Sequence, residues 1–209
     1  MIIAHRGHSD KYPDNSTEAF VDAIKKGFDM IELDINICKS KDLIIYHDTT
    51  INGKCIEDYT INELSFLNII TLEYYFNYIN KNQIKTYIDV KGNNIVINYL
   101  IDFLNINTSI DKSLIYIASF NINHLDTVKN SNLNCKLGLI TCNKFTLNDN
   151  KLFTYDFYAF NWELYDNELY EFLKYKKKQV FIYTCHNITE FKYIQSKYKY
   201  DGLISNIYM

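Results

Sequence analysis

The chain has one proline, six glycines and one tryptophan among 209 residues. So little loop punctuation argues against Pro-rich or Gly/Ser-rich linkers, and no low-complexity tract is long enough to split the chain. Positive charge is not in surplus. The formal net charge is −3, which offers no basic surface for nucleic acid. Cysteine occurs five times, at Cys38, Cys55, Cys135, Cys142 and Cys185, in odd number and with no Cys-x-x-Cys pair. That argues against a disulfide frame or a zinc site and reads as reduced packing thiols. No apolar run approaches the roughly 20 residues of a membrane-spanning helix. At the start, His5-Arg6 arrive before the hydrophobic region of a signal peptide can develop. The expectation is a cytoplasmic protein with no transmembrane segment. What is abundant is apolar and aromatic material: 47% hydrophobic residues, with 19 tyrosines and 13 phenylalanines. That is ample for one core, and residues 1–209 are read as a single domain.

The most informative stretch is residues 31–48. Ile31, Leu33, Ile35 and Ile37 alternate with Glu32, Asp34 and Asn36, the pattern of a strand with one apolar side. The polar side faces either water or the inside of a barrel, where acids are costly unless something positive pairs with them. Residues i and i+2 on one strand face lie about 7 Å apart, so Glu32 and Asp34 can approach one cation from successive positions. The apolar run Leu43-Ile44-Ile45-Tyr46 then delivers His47-Asp48. Two carboxylates and an imidazole in one short unit suit a metal-assisted acid/base site. The bland alternative is a solvated Glu-x-Asp strand face, which is common.

Around this unit, short apolar runs alternate with amphipathic segments. Strands are expected over 1–5, 31–37, 85–91, 114–120, 137–141, 157–162, 180–185 and 202–205. The first helix is expected to be capped by Asn15, with Glu18 three residues on, to bury Ala19, Phe20, Ala23 and Ile24, and to stop at Gly27. Further helices are expected over 71–80, 94–104, 124–129, 147–153, 168–177 and 190–197. Eight βα units imply a compact (β/α)8 TIM barrel whose last helix is missing or vestigial. A doubly wound open sheet is the alternative, but it would leave the acids of strands two and three without a shared interior. In a barrel, chemistry belongs at the C-terminal strand ends. His5-Arg6, Glu32 and Asp34, His47, the Tyr87-Asp89-Lys91 face, Ser119, Asn161-Trp162, 184–186 and Ser205-Asn206 all fall there.

These residues resemble a known family. His5-Arg6-Gly7, Pro13-Asp14-Asn15-Ser16, Ile31-Glu32-Leu33-Asp34 and His47-Asp48 are similar, in order and spacing, to the signature of the glycerophosphodiester phosphodiesterases. Ile70-Thr71-Leu72-Glu73, Ile88-Asp89-Val90-Lys91, Tyr183-Thr184 and Asp201-Gly202-Leu203-Ile204-Ser205 extend the resemblance to the end. The resemblance implies a barrel that hydrolyses a small-molecule glycerophosphodiester to glycerol 3-phosphate and an alcohol. It also implies one divalent cation, Mg2+ or Ca2+, held by Glu32, Asp34 and Asp89. His5 and His47 would be the acid/base pair, and Arg6 and Lys91 would bind phosphate. The nucleophile would be water or the substrate's own glycerol hydroxyl. From the residues alone, Lys91 is equally readable as a salt-bridge partner of Asp89.

The chain departs from the family pattern in places. Asp14 and Asp89 stand where Glu is usual, Tyr183 where Trp is usual, and Asn206 and Tyr208 where Asp and Pro are typical. Residues 48–70 look too few for the small helical insertion many members carry, so no sizeable insertion domain is expected. His124 is expected at the surface, His8 in a solvated loop or touching the site, and His186 near the rim. A lysophospholipase D or sphingomyelinase D-like phosphodiesterase and a non-catalytic phosphodiester-binding barrel are the alternative functions.

Overall fold

The computed structural model describes residues 1–142 and 154–209; the helix expected over 147–153 lies outside them. In chain order, β1 (Ile2–Ala4) leads to α1 (Thr17–Lys26), β2 (Met30–Ile37) and β3 (Leu43–Ile45). A small excursion follows, with β4 (Thr50–Ile51), β5 (Lys54–Cys55) and α2 (Ile61–Ser65), before α3 (Leu72–Tyr74). Then come β6 (Thr86–Val90), α4 (Asn94–Ile106), β7 (Ile115–Ser119), α5 (Ile122–Asn130) and β8 (Lys136–Thr141). The described chain resumes with β9 (Phe157–Asn161), α6 (Asn167–Tyr175), β10 (Gln179–Cys185), α7 (Ile188–Lys197) and β11 (Gly202–Ser205). The strands β1, β2 and β6 to β11 run parallel, each beside the next, and the ring closes where β11 pairs with β1. This is the TIM barrel, and no helix follows β11 in the described residues. Among the described residues, no helix is long and apolar enough to cross a membrane.

The side-chain period of two divides each strand between two cores. Ile31, Leu33 and Ile35 pack outward with Phe20, Ala23, Val96 and Leu100 of the helices. Met30, Tyr87, Tyr116, Phe157 and Phe181 point inward and fill the barrel together with small residues such as Ala118 and Ala159. Rings in this plug approach closely: Phe157 and Phe181 are 5.0 Å apart between centroids, and Tyr87 and Phe157 are 5.5 Å apart. The polar side of β2 therefore faces the barrel interior, with Glu32 only 3% and Asp34 1% exposed. That resolves the open alternative in favour of an interior acid site, above an aromatic floor.

Several local expectations are corrected. Ser16, not Asn15, caps α1, its side chain accepting from the Ala19 N–H at 3.1 Å. Asn15 takes a left-handed backbone, φ 57°, and turns its amide inward. The run 71–80 is not one helix. Thr71 caps the short α3, which passes into a π-type turn over Tyr75–Ile79. Residues 48–70 do hold a small helical excursion, with its own apolar cluster of Cys38, Ile44, Ile56 and Leu64. Here a Thr60–Glu63 capping box and a hairpin compensate for the short segment. His124 is buried, its Nδ1 3.0 Å from Ser119 Oγ. Its imidazole satisfies a hydroxyl at the end of β7, a partner invisible in the helix pattern.

The aromatic plug requires a missing side chain at Gly138. A Cβ there would fall 2.0–2.2 Å from three atoms of the Phe157 ring. Gly138→Ala should lower stability by about 1–3 kcal/mol, the usual scale of core overpacking. The urea midpoint measures this; an unchanged midpoint would mean the ring can retreat without loss.

Candidate active site

The Arg6-Gly7 turn at the end of β1 starts the site. Arg6 is left-handed, φ 55°, and its backbone N–H donates to Glu32 Oε2 at 2.7 Å. Gly7, φ 82°, lets this turn lie against α1, since a Cβ there would sit 2.7 Å from Ala19 Cβ. The guanidinium spans two acids: one terminal nitrogen is 2.8 Å from Asp14 Oδ2, and Nε is 3.0 Å from Asp34 Oδ2. Asn15 meets the same oxygen, donating from Nδ2 to Asp34 Oδ2 at 3.0 Å.

Asp34 and Asp89 are direct register partners on β2 and β6, and Glu32 lies one inward position deeper, opposite Tyr87. Glu32, Asp34 and Asp89 each bring a carboxylate oxygen within 4.8 Å of the others. Lys91 reaches back into this group, with Nζ 2.6 Å from Asp89 Oδ2 and 3.1 Å from Asp34 Oδ1. The salt-bridge reading of Lys91 thus holds. Burial, then the charges of Asp34 and Asp89, push Glu32 well above the ordinary carboxylate range. Burial also pushes Asp89 up, to about 6, against the pull of Lys91. For Asp34, burial is outweighed by Lys91, Arg6 and the Asn15 hydrogen bond, which hold it below the ordinary range.

The two histidines line the same cleft of about 130 Å3, with Arg6, the three acids, Lys91, Tyr87, Phe120 and Tyr183 around it. His5 sets Nδ1 2.7 Å from Asn206 Oδ1, just past the last strand. Burial, then the Arg6 charge, pushes its imidazole down to about 4. His47 is held at the mouth by β3. Tyr46 N–H donates to the Asp34 carbonyl at 3.0 Å, and Asn36 Nδ2 donates to the Tyr46 carbonyl at 2.8 Å. The His47 Nδ1 lies 2.7 Å from Asp48 Oδ1, and its side chain is 40% exposed. Phe120 forms an aromatic wall, T-shaped to Tyr183 and 5.8 Å from Lys91 Nζ.

All seven residues singled out in the sequence, His5, Arg6, Glu32, Asp34, His47, Asp89 and Lys91, meet in this cleft. His8 does not. It is neither solvated nor in the cleft, but buried with Nδ1 2.6 Å from Asp22 Oδ2. His186 stands outside, exposed, 3.3 Å from Asn206 Nδ2. Sequence reasoning misses the supporting contacts of Asn36 and Asn206. Asparagine is so frequent here that only spatial partners distinguish these two.

The acid group fits a divalent cation. Three hard oxygen donors suit Mg2+ or Ca2+ rather than zinc. Asp89 Oδ1 is buried and has no hydrogen-bond partner among the described residues, a costly state unless a cation meets it. Burial first, and then the neighbouring carboxylates, hold Glu32 and Asp89 towards protonation, which is the strain a further positive charge relieves.

The profile of the glycerophosphoryl diester phosphodiesterase family matches residues 5–207. A glycerophosphodiester phosphodiesterase of Caldanaerobacter subterraneus is 38% identical over 73 residues, 32% of this chain and 30% of that protein. A human lysophospholipase D is 31% identical over 67 residues, 32% of this chain and 21% of that protein. These matched stretches thus span less than a third of each relative's length. Among solved structures, an Oleispira antarctica phosphodiesterase in complex with the product sn-glycerol-3-phosphate superposes with a TM-score of 0.87 at 17% identity. That superposition covers 99% of this chain and 92% of the other, and it shows the fold. With the matched residues running through nearly the whole described barrel, the chain belongs to the glycerophosphoryl diester phosphodiesterase family.

Proposed function

We propose that this protein hydrolyses glycerophosphodiesters to glycerol 3-phosphate and an alcohol, with Mg2+ or Ca2+ held by Glu32, Asp34 and Asp89. The observation that carries the proposal is the meeting of these acids with His5, His47, Arg6 and Lys91 in one cleft at the C-terminal rim of the barrel. When bound, the cation polarises phosphoryl oxygens and offsets developing negative charge. Arg6 supplies a fork for phosphate oxygens, and Lys91 supplies a point charge at the same cleft. His5, neutral at physiological pH, takes the proton of the attacking hydroxyl, from water or from the substrate's glycerol. His47 gives a proton to the alcohol oxygen as its bond to phosphorus breaks. Its place at the solvent side of the cleft suits a leaving group that departs into water. Action in the cytoplasm by residues 1–209 as one domain belongs to the same proposal, supported by five cysteines that all stand free.

The human relative gives a lysophospholipase D reading specific support, so the first test is an assay of glycerophosphocholine and lysophosphatidylcholine side by side, with and without chelator. Chelator-sensitive turnover of glycerophosphocholine is expected. Turnover of lysophosphatidylcholine alone would move the assignment to that class, and turnover of neither would favour a non-catalytic barrel.

Glu32→Gln keeps an acceptor for the Arg6 N–H but removes the charge, so it should lose metal binding and turnover together while the protein stays folded. Calorimetric titration with Mg2+ and Ca2+ decides this; unaltered affinity would remove Glu32 from the ligand set. His5→Ala and His47→Ala should each lower kcat by about a hundredfold or more and leave metal affinity in place. The wild-type pH–rate profile should be bell-shaped and lose one limb in each variant. Normal turnover by either variant would leave the acid/base pair without support.

In metal-free protein two pH effects should oppose each other. Asp89 is raised from 3.8 to about 6 on folding, so its contribution is fully present below pH 3.8 and is lost as pH rises through about 6. His5 is lowered from 6.5 to about 4, so stability is gained as pH rises between these values. Asp89→Asn removes the first effect and also relieves the upward push of Asp89 on Glu32. With chelator present, its urea midpoint should climb more steeply than wild type between pH 4 and 6.5; parallel slopes would show that Asp89 does not titrate in this window.

A further inference from the structure

Asn206 lies 201 residues from His5 in the chain, yet closure of β11 on β1 puts its Oδ1 2.7 Å from His5 Nδ1. Its backbone is pinned on both sides. Its N–H donates to the Cys185 carbonyl at 2.9 Å, and its carbonyl accepts from the Asp10 N–H at 3.2 Å. His5 is pinned beside it, its N–H donating to the Ser205 carbonyl at 3.0 Å. The remaining freedom is which way the amide faces, and that choice has chemical content. With Oδ1 towards His5, the amide can only accept, so the His5 proton sits on Nδ1 and the lone pair on Nε2. With the amide turned over, Nδ2 would donate to His5 Nδ1, and Nε2 would carry the proton. In the first arrangement Nδ2 is left 3.3 Å from His186 Nδ1, a ring nitrogen that can accept it.

We propose that Asn206 is a positioning residue that selects the Nδ1–H tautomer of His5, with His186 on the far side of the amide holding it in that orientation. Nε2, the ring nitrogen not engaged by Asn206, is thereby kept as the proton acceptor in the cleft. A base needs its lone pair on the reacting side, and a second residue bonded to the other nitrogen is what fixes it there. Because the neighbour is an amide and not a carboxylate, it sets the tautomer without adding a negative charge beside the imidazole. His186 gains a function that its exposed position alone does not suggest. The consequence for turnover rests on the proposed function, with His5 as base; the tautomer itself does not.

The test is nitrogen-15 NMR of the whole chain with labelled histidine, at a pH where His5 is neutral, together with steady-state kinetics on glycerophosphocholine. Wild-type His5 should show a protonated Nδ1 and an unprotonated Nε2. Asn206→Leu should mix the two tautomers and lower kcat by about tenfold or more, part of the contribution of a positioned base, with KM little changed. Asn206→Asp, which keeps an acceptor, should restore the Nδ1–H form. His186→Phe should mix the tautomers in the same sense as Asn206→Leu, to a milder degree. A wild-type His5 protonated on Nε2, or a tautomer indifferent to Asn206→Leu, overturns the assignment. Absence of wild-type turnover with the expected tautomer counts against the proposed reaction and leaves the Asn206 assignment standing, because the spectroscopic result requires no substrate.

Discussion

Three carboxylates sit inside a closed barrel with two cationic side chains to face them among the described residues, Arg6 and Lys91, and much of the surrounding structure answers that imbalance. Asp34 is the best served, with Arg6, Lys91 and Asn15 all turned to it. Glu32 has the Arg6 backbone N–H, and Asp89 has Lys91 on one oxygen and, among the described residues, nothing on the other. An unpaired buried charge is among the most costly things a fold can carry. The left-handed Arg6, the inward Asn15 and the back-reaching Lys91 all have that cost as their physical reason. The same arrangement leaves negative charge in excess, which is what a divalent cation offsets.

Packing beneath the site is what allows such a polar layer. Tyr87, Tyr116, Phe157 and Phe181 fill the barrel below the acids and close it from that end. Tyr87 belongs to both layers, lining the cleft and touching Phe157 with its ring. Opposite these large rings the strands carry Ala118, Ala159, Gly138 and Gly202. Exchange of large and small residues across the barrel therefore sets the depth at which the acids sit.

Much of this was legible in the sequence, and the reason is periodicity. Alternation from Ile31 to Ile37 marks a strand with an acidic side, and eight repeats of strand and helix turn that side inward. Local chemistry was harder to read. Asn15 has the composition of a helix cap, but Ser16 beside it can cap equally well, and only Asp34 across the barrel gives Asn15 a better partner. His124 falls on a short amphipathic helix where a surface position is a fair expectation, until Ser119 is seen beneath it. The excursion at 48–70 is built from elements of two to five residues, shorter than any period can reveal.

The sequence by itself determined the barrel, the acidic layer of β2 and β6, and the family, because each is written in repeats or in motifs whose members lie close in the chain. Tertiary structure alone decided which of those acids are paired and which nitrogen of His5 meets a neighbour. Those outcomes depend on contacts such as Asn206 with His5 and Lys91 with Asp34, across 201 and 57 residues of chain. No local spacing encodes contacts of that kind. They exist only because the last strand returns to the first, and two ends with no pattern in common are set side by side.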